Sequence, residues 1–220
     1  MYVDKYSLTS KTWSEVAEMC DNRKCFCACA FTDKIFLFGG SKGEVVTNFC
    51  LQFDTSDCSW KEVSGTNVAR SCAACVVYAE RIVVSGGIDN NFGDLNSVES
   101  YDVLPDKWSF MPNMNYRNFN HGLAVVNNKL FVISKKNKFE VFDNICKTFV
   151  TIKSPKLNYN HYGTRAYSIG KKILVFQYKS PIFIYDTEKN RWSEESCDVT
   201  RNLRYFSCVK VPLLYEKILV

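Results

Sequence analysis

Residues 70–116 read RSCAACVVYAERIVVSGGIDNNFGDLNSVESYDVLPDKWSFMPNMNY. Near the centre, the run Ile82-Val83-Val84-Ser85 stops at Gly86-Gly87. Its apolar residues are consecutive, so as a strand it is apolar on both faces and needs cover on both. The diglycine suits a sharp change of direction with close backbone approach. Further on, Tyr101 and Trp108 stand seven positions apart, around Asp102 and the turn formers Pro105-Asp106. Pairing residue i with i+7 leaves a turn of about four residues, a common hairpin length, and sets the two rings opposite each other on one sheet face. Such cross-strand pairs stabilise a sheet by about 0.2–1 kcal/mol each. With a small and apolar run over Cys72 to Tyr78 upstream, the stretch predicts four antiparallel strands.

The arrangement recurs along the chain. The aromatic pairs are Tyr6 and Trp13, Phe53 and Trp60, Tyr101 and Trp108, Phe142 and Phe149, and Tyr185 and Trp192, with successive second aromatics 41 to 48 residues apart. An acid follows the first aromatic in the last four: Asp54, Asp102, Asp143 and Asp186. After Arg23, Arg70 and Arg117 come the runs Cys25 to Phe31, Cys72 to Tyr78 and Leu123 to Val126; solid apolar strands follow at Ile35 to Phe38, Ile82 to Val84, Leu130 to Ile133 and Ile173 to Phe176. Gly39-Gly40 repeats the diglycine, whereas the units from Arg117 and Asn160 carry Ser134-Lys135 and Gln177-Tyr178 at that place. A period of this size marks a stacked repeat, and radially stacked sheets cover each apolar strand from both sides.

The predicted fold class is all-β: a propeller of four-stranded antiparallel blades forming one domain over residues 1–220. The repeats run roughly over 1–22 (partial), 23–69, 70–116, 117–159, 160–200 and 201–220 (partial). The first 19 residues match only the last two strands of a unit, and the segment from Arg201 to Val220 only the first two. Joined, they make one composite closing blade and about five blades in all; a fragment of a six-bladed ring is the other expectation.

Composition narrows the function. A chain that is 46% apolar and 15% aromatic is not a disordered one. Its net charge of +5 is spread out, with short clusters such as Lys135-Lys136 and Lys171-Lys172, not the single stripe of a nucleic-acid binder. No apolar run approaches the roughly 18–20 residues that span a bilayer, and Met1-Tyr2-Val3-Asp4-Lys5 does not open a secretory signal. Eleven cysteines, an odd number, then read as reduced thiols in the cytoplasm.

With Arg70, Ile82-Val83-Val84-Ser85-Gly86-Gly87, Leu95 to Asp102, Trp108 and Met111-Pro112-Asn113-Met114 in order, the unit at 70–116 resembles the kelch repeat, as found in the propellers of the BTB-BACK-kelch (kelch-like) proteins. The likeness covers the whole chain and weakens after Arg117. Trp13, Gly39, Gly40, Trp60, Gly86, Gly87, Tyr101, Trp108, Tyr185 and Trp192 are its structural positions. The resemblance implies a protein-binding module without catalytic chemistry of its own. It recognises a substrate or partner, as in adaptors of cullin-3 ubiquitin ligases, through a BTB domain outside these residues. An actin-binding kelch protein is one alternative, and a truncated or non-functional kelch-like fragment a second. No cofactor is implied.

In that family one rim of the ring carries the partner. The resemblance maps it here to Lys24, Ser41, Lys42, Ser71, Asp89, Asn90, Phe92, Asn118, Lys135, Lys136, His161, Tyr178, Lys179 and Asn202. Basic residues outnumber acidic ones along both loop sets of that rim, which predicts an acidic peptide ligand, with Phe92 as an apolar anchor. Arg23, Arg70 and Arg117 read as ties between loops.

No catalytic constellation is legible. The two histidines, His121 and His161, read as loop-proximal polar residues with no nucleophile placed beside them. Cys25, Cys27 and Cys29 alternate, so on a strand they share a face about 6.6 Å apart in succession. One strand cannot bring three sulfurs to within about 2.3 Å of one zinc. The cysteines therefore read as packing residues, with no metal, and Cys58 or Cys197 as candidates for a redox-sensing thiol.

Overall fold

The computed structural model describes residues 2–19, 21–134, 138–154 and 163–196. These are entirely β and turn. A hairpin, β1 (Tyr2–Ser7) and β2 (Thr12–Glu18), opens the chain. Blade A follows as β3 (Cys27–Phe31), β4 (Lys34–Phe38), the short ribbon β5 (Ser41–Lys42) and β6 (Val45–Val46), then β7 (Cys50–Asp54) and β8 (Ser59–Val63). Blade B holds β9 (Ala74–Tyr78), β10 (Arg81–Ser85), β11 (Val98–Asp102) and β12 (Lys107–Met111). Blade C holds β13 (Gly122–Val126), β14 (Lys129–Ile133), β15 (Phe139–Asp143) and β16 (Thr148–Ile152). Blade D holds β17 (Thr164–Ile169), β18 (Lys172–Gln177), β19 (Ile182–Asp186) and β20 (Arg191–Glu195).

Each blade is a four-stranded antiparallel meander. The first strands of successive blades touch, β3 with β9, β9 with β13 and β13 with β17, so the sheets fan around a common axis as a propeller. The composite blade expected from the two chain ends falls on residues 201–220, outside the described residues. The residues expected to supply its outer half form the β1–β2 hairpin.

The register follows from the aromatic spacing. Tyr6 faces Trp13, Phe53 faces Trp60, Tyr101 faces Trp108, Phe142 faces Phe149 and Tyr185 faces Trp192, each a direct cross-strand pair. Their ring centroids lie 4.8–5.1 Å apart. In every one of these turns the residue two before the second aromatic is left-handed: Lys11, Cys58, Asp106, Lys147 and Asn190. The acid after the first aromatic has a mechanical role. Asp54 accepts from the Ser56 amide at 3.0 Å, Asp143 from Ile145 and Cys146, and Asp186 from Glu188 and Lys189, pinning the turn. The Ser56 hydroxyl, which donates to Asp54 at 2.6 Å, the Ser56 amide and Lys34 opposite hold the Asp54 carboxyl down at about 2.

The second strand of each blade divides its side chains between two interfaces. Ile82 and Val84 pack with Phe36 and Phe38 of blade A, while Val83 packs with Leu130 and Val132 of blade C. Phe131 and Ile133 in turn meet Ile173 and Val175 of blade D. Burial on both faces is what the unbroken apolar runs require. Tryptophans add a polar tie between blades: Trp108 Nε1 donates to the Ser64 carbonyl at 2.7 Å, and Trp192 Nε1 to that of Lys153 at 2.9 Å.

Candidate functional site

One end of the propeller gathers the loops that follow each second strand and the loops that lead into each first strand. In blades A and B the join is built on the diglycines. Gly39 and Gly40 have φ of 61° and 102°, Gly86 and Gly87 of 58° and 104°. A Cβ on Gly39 would stand 2.1 Å from the Arg70 carbonyl oxygen, and one on Gly86 2.3 Å from that of Asn118. Glycine is needed there both for the left-handed backbone and because the next blade's main chain occupies the space of a side chain. Gly40 N donates to the Arg70 carbonyl and Gly87 N to the Asn118 carbonyl, each at 2.8 Å.

These bonds correct the repeat as read from sequence. The residue equivalent to Arg23 and Arg70 is Asn118, not Arg117. Both arginines are fully buried. Arg23 donates to the carbonyls of Gly39 (3.0 Å) and Phe49 and lies over the Phe49 ring. Arg70 donates to Gly86 O at 2.6 Å, to Ser97 O at 3.3 Å and to the Glu99 carboxylate. They act as the loop ties expected of them. Arg117 is exposed and donates to the Asp94 carbonyl at 2.7 Å, steadying the outer loop of blade B. A fixed offset carried the correct signal: ten positions past Trp13, Trp60 and Trp108 stand Arg23, Arg70 and Asn118.

The rim residues fare differently from one another. Asn118 is 3% exposed and donates to the Tyr116 carbonyl at 3.1 Å. Ser71 is also buried, and its backbone pairs with Ile88. Neither side chain is presented to a partner, because both lie where one blade's backbone crosses the next. Asp89 and Asn90 are engaged within the chain. Asp89 Oδ1 accepts from the amides of Asn91 (2.9 Å) and Gly93 (2.8 Å). Asn90 grips Val46 across the blade interface, Oδ1 accepting from its amide at 2.7 Å and Nδ2 donating to its carbonyl at 3.0 Å. This clasp binds the β5–β6 ribbon of blade A to the loop of blade B.

At its crest Phe92 is 81% exposed with φ of 58°, and Val45 on the neighbouring ribbon is 64% exposed. Ser41 is half-buried, its backbone paired with Lys24 through two hydrogen bonds of 2.8 Å. The Lys24 side chain is exposed, as is that of Lys42, which lies 4.0 Å from Asp21. Lys179 is exposed beside the half-buried Tyr178, its Nζ 5.4 Å from that ring's centroid. Lys135, Lys136, His161 and Asn202 lie outside the described residues.

Two features were invisible in sequence. His121 is buried, with Nε2 2.8 Å from Ser85 Oγ, so a histidine and a hydroxyl do meet between blades B and C. The cysteines meet between blades A and B. Cys25 and Cys72 both precede their strands with left-handed φ of 56° and 54°, which is why the first strands begin at Cys27 and Ala74 and not at the cysteines. Cys27 and Cys29, alternating on β3, pack in one cluster with Cys75 on β9, and interaction with their thiols together with burial pushes the Cys75 thiol well up. Burial likewise pushes Cys50 up to about 12. No group of three or more metal-ligating side chains with metal-binding geometry occurs among the described residues.

Comparison with known proteins agrees with this architecture. Residues 2–134 match the family described as the KLHDC2/KLHL20/DRC7 Kelch-repeats domain. The F-box/kelch-repeat protein SKIP20 of Arabidopsis thaliana is 29% identical over 171 residues, covering 68% of this chain and 41% of that protein. Kelch repeat and BTB domain-containing protein 1 of Cowpox virus (strain Brighton Red) is 26% identical, covering 59% of this chain and 23% of its own. Human Kelch-like protein 38 is also 26% identical, over 59% and 22%. The chain thus spans less than half the length of each of these relatives. The solved structure of YjhT superposes with a TM-score of 0.68 at 14% identity, over 82% of this chain and 67% of that one, a likeness of fold alone. Matching repeats, direct aromatic registers and diglycine joints lead to one conclusion: this chain belongs to the kelch-repeat family and is a protein-interaction module.

Proposed function

We propose that the module holds an acidic peptide segment of a protein partner on the rim between blades A and B. The Phe92 and Val45 side chains supply the apolar contact, and Lys24 and Lys42 the charge. The observation that carries this reading is the Asn90–Val46 clasp. It holds two apolar side chains out of the core on a fixed two-loop platform, so little ordering entropy remains to be lost on binding. Exposed rim charges steer an acidic partner and add little affinity of their own. The F-box and BTB domains named in the relatives support an adaptor role in ubiquitin ligation, including a cullin-3 ligase, with this rim as the client-binding end.

The test is selection from a displayed peptide library on the wild-type chain, followed by affinity measurement on variants. Acidic peptides are expected. Phe92→Ala should weaken them about thirtyfold, the effect of losing one buried aromatic anchor. Lys42→Glu should mainly slow association. Leu104→Ala, at an exposed turn on the opposite end, should change nothing. A selected set without acids, or equal losses from the Leu104 and Phe92 variants, would overturn the assignment. Co-sedimentation with filamentous actin, unaffected by Phe92→Ala, would favour a cytoskeletal role instead.

A further inference from the structure

Cys25 and Cys72 occupy the same place in successive repeats, yet the ring geometry makes them neighbours. Each lies two residues after a fully buried arginine, where the chain turns left-handed before entering its inner strand. The Cys72 amide donates to the Cys25 carbonyl at 2.7 Å, so the two backbones are joined directly across the interface of blades A and B. The two thiols are close enough for each to shift the other's titration. Cys25 is exposed and Cys72 half-buried, on the same end of the propeller as the rim. An accessible thiol and a less accessible one thus lie on two segments whose backbones are joined directly.

We propose that Cys25 and Cys72 form a peroxide-reactive dithiol, Cys25 attacking first and Cys72 resolving, which closes to a disulfide between blades A and B. The environment favours that order. The Cys72 hydrogen bond and the neighbouring Lys24 ammonium bring the Cys25 thiol down to about 6, although partial burial opposes them. Cys72 is pushed upward, because it gives its hydrogen to Cys25 and is the more buried. The thiol brought down is thus the accessible one, and the thiolate is the nucleophile. Its attack on a hydroperoxide breaks the O–O bond, leaving Cys25 as a sulfenic acid and releasing water or an alcohol once the departing oxygen takes up a proton. The Cys72 sulfur then displaces hydroxide from the sulfenic sulfur, and its proton leaves as water. Two thiols are oxidised by two electrons, and the peroxide is reduced by two. Thiol reductants reverse the change.

The experiment treats the intact chain with less than one equivalent of hydrogen peroxide, blocks remaining thiols and maps the peptides by mass. The expected product links Cys25 to Cys72 with loss of two hydrogens and is restored by dithiothreitol. Iodoacetamide should modify Cys25 at least about tenfold faster than the exposed Cys58 and Cys146. In Cys72→Ser the disulfide should vanish and dimedone should trap Cys25 as its sulfenic acid. Cys72→Ala guards against any special effect of the serine hydroxyl. The proposal fails if Cys58 or Cys146 is oxidised before Cys25, if Cys25 pairs between molecules, or if both thiols of the pair stay reduced.

Discussion

Blades B and C solve one packing problem with different residues. In both, a glutamate on the third strand is fully buried and receives the loop leading into the blade. Glu99 accepts from the Asn67 amide and side chain at 2.7 Å, from the Val68 amide at 3.1 Å, and from the buried Arg70. Glu140 accepts from the Asn115 amide at 2.9 Å, but the arginine position is Asn118, and Glu140 Oε2 has no hydrogen-bond partner among the described residues. Burial accordingly raises the Glu140 carboxyl, against the pull of the Asn115 and Tyr116 amides. The diglycine is lost from the same blade, where Ser134 replaces the first glycine without a left-handed φ and donates to Lys138 at 2.8 Å. Arginine, glutamate and diglycine thus act as one joint, and blade C has shed two of its three parts.

The largest effect should come from breaking the intact joint. Arg70→Ala leaves Glu99 buried without its counter-ion and removes donors to Gly86 and Ser97. A loss of about 3–5 kcal/mol is expected in urea unfolding. A change below about 1 kcal/mol would mean that the pair contributes nothing beyond shape. Next, Gly86→Ser should cost about 1–3 kcal/mol through backbone strain and collision with Asn118, whereas Ser134→Gly in blade C should cost only about 0.5–1 kcal/mol, the entropy of a glycine. Equal costs would show that the glycine requirement does not depend on the neighbouring backbone.

The smallest effect lies with Glu140. Its raised carboxyl keeps a proton in the native state at pH values where the unfolded chain has released it. Stability therefore falls as pH rises through that window and levels off above it. Glu140→Gln should remove this slope, so that its advantage over wild type grows as pH rises above the ordinary glutamate value of about 4. Parallel pH profiles for the two proteins would contradict an unpaired buried carboxyl.

Much of this was written into the local sequence. The i, i+7 spacing fixed all five hairpin registers, because strand pairing and a turn of set length leave no other alignment. The acids after Phe53, Phe142 and Tyr185 announced their turns through bonds of two or three residues' reach. The solid apolar strands implied cover on both faces, and they have it. The slip at Arg117 had a local remedy in the constant distance from Trp108. The rim residues were less legible. Asp89, Asn90, Ser71 and Asn118 look like free polar residues in sequence, and only the folded loops show them spent on bonds within the chain, across blades for Asn90 and Asn118 and within blade B for Asp89 and Ser71.

By itself, then, the chain determined the strands, their pairing within each blade and the need to stack, since these rest on side-chain period and turn length. The ring decided which residues of different blades meet: Arg70 with the Gly40 amide, Asn90 with Val46, His121 with Ser85, Cys25 with Cys72. Those partners are 30 to 47 residues apart along the chain. No spacing rule reaches that far; the distance between them is set by how one sheet rotates onto the next.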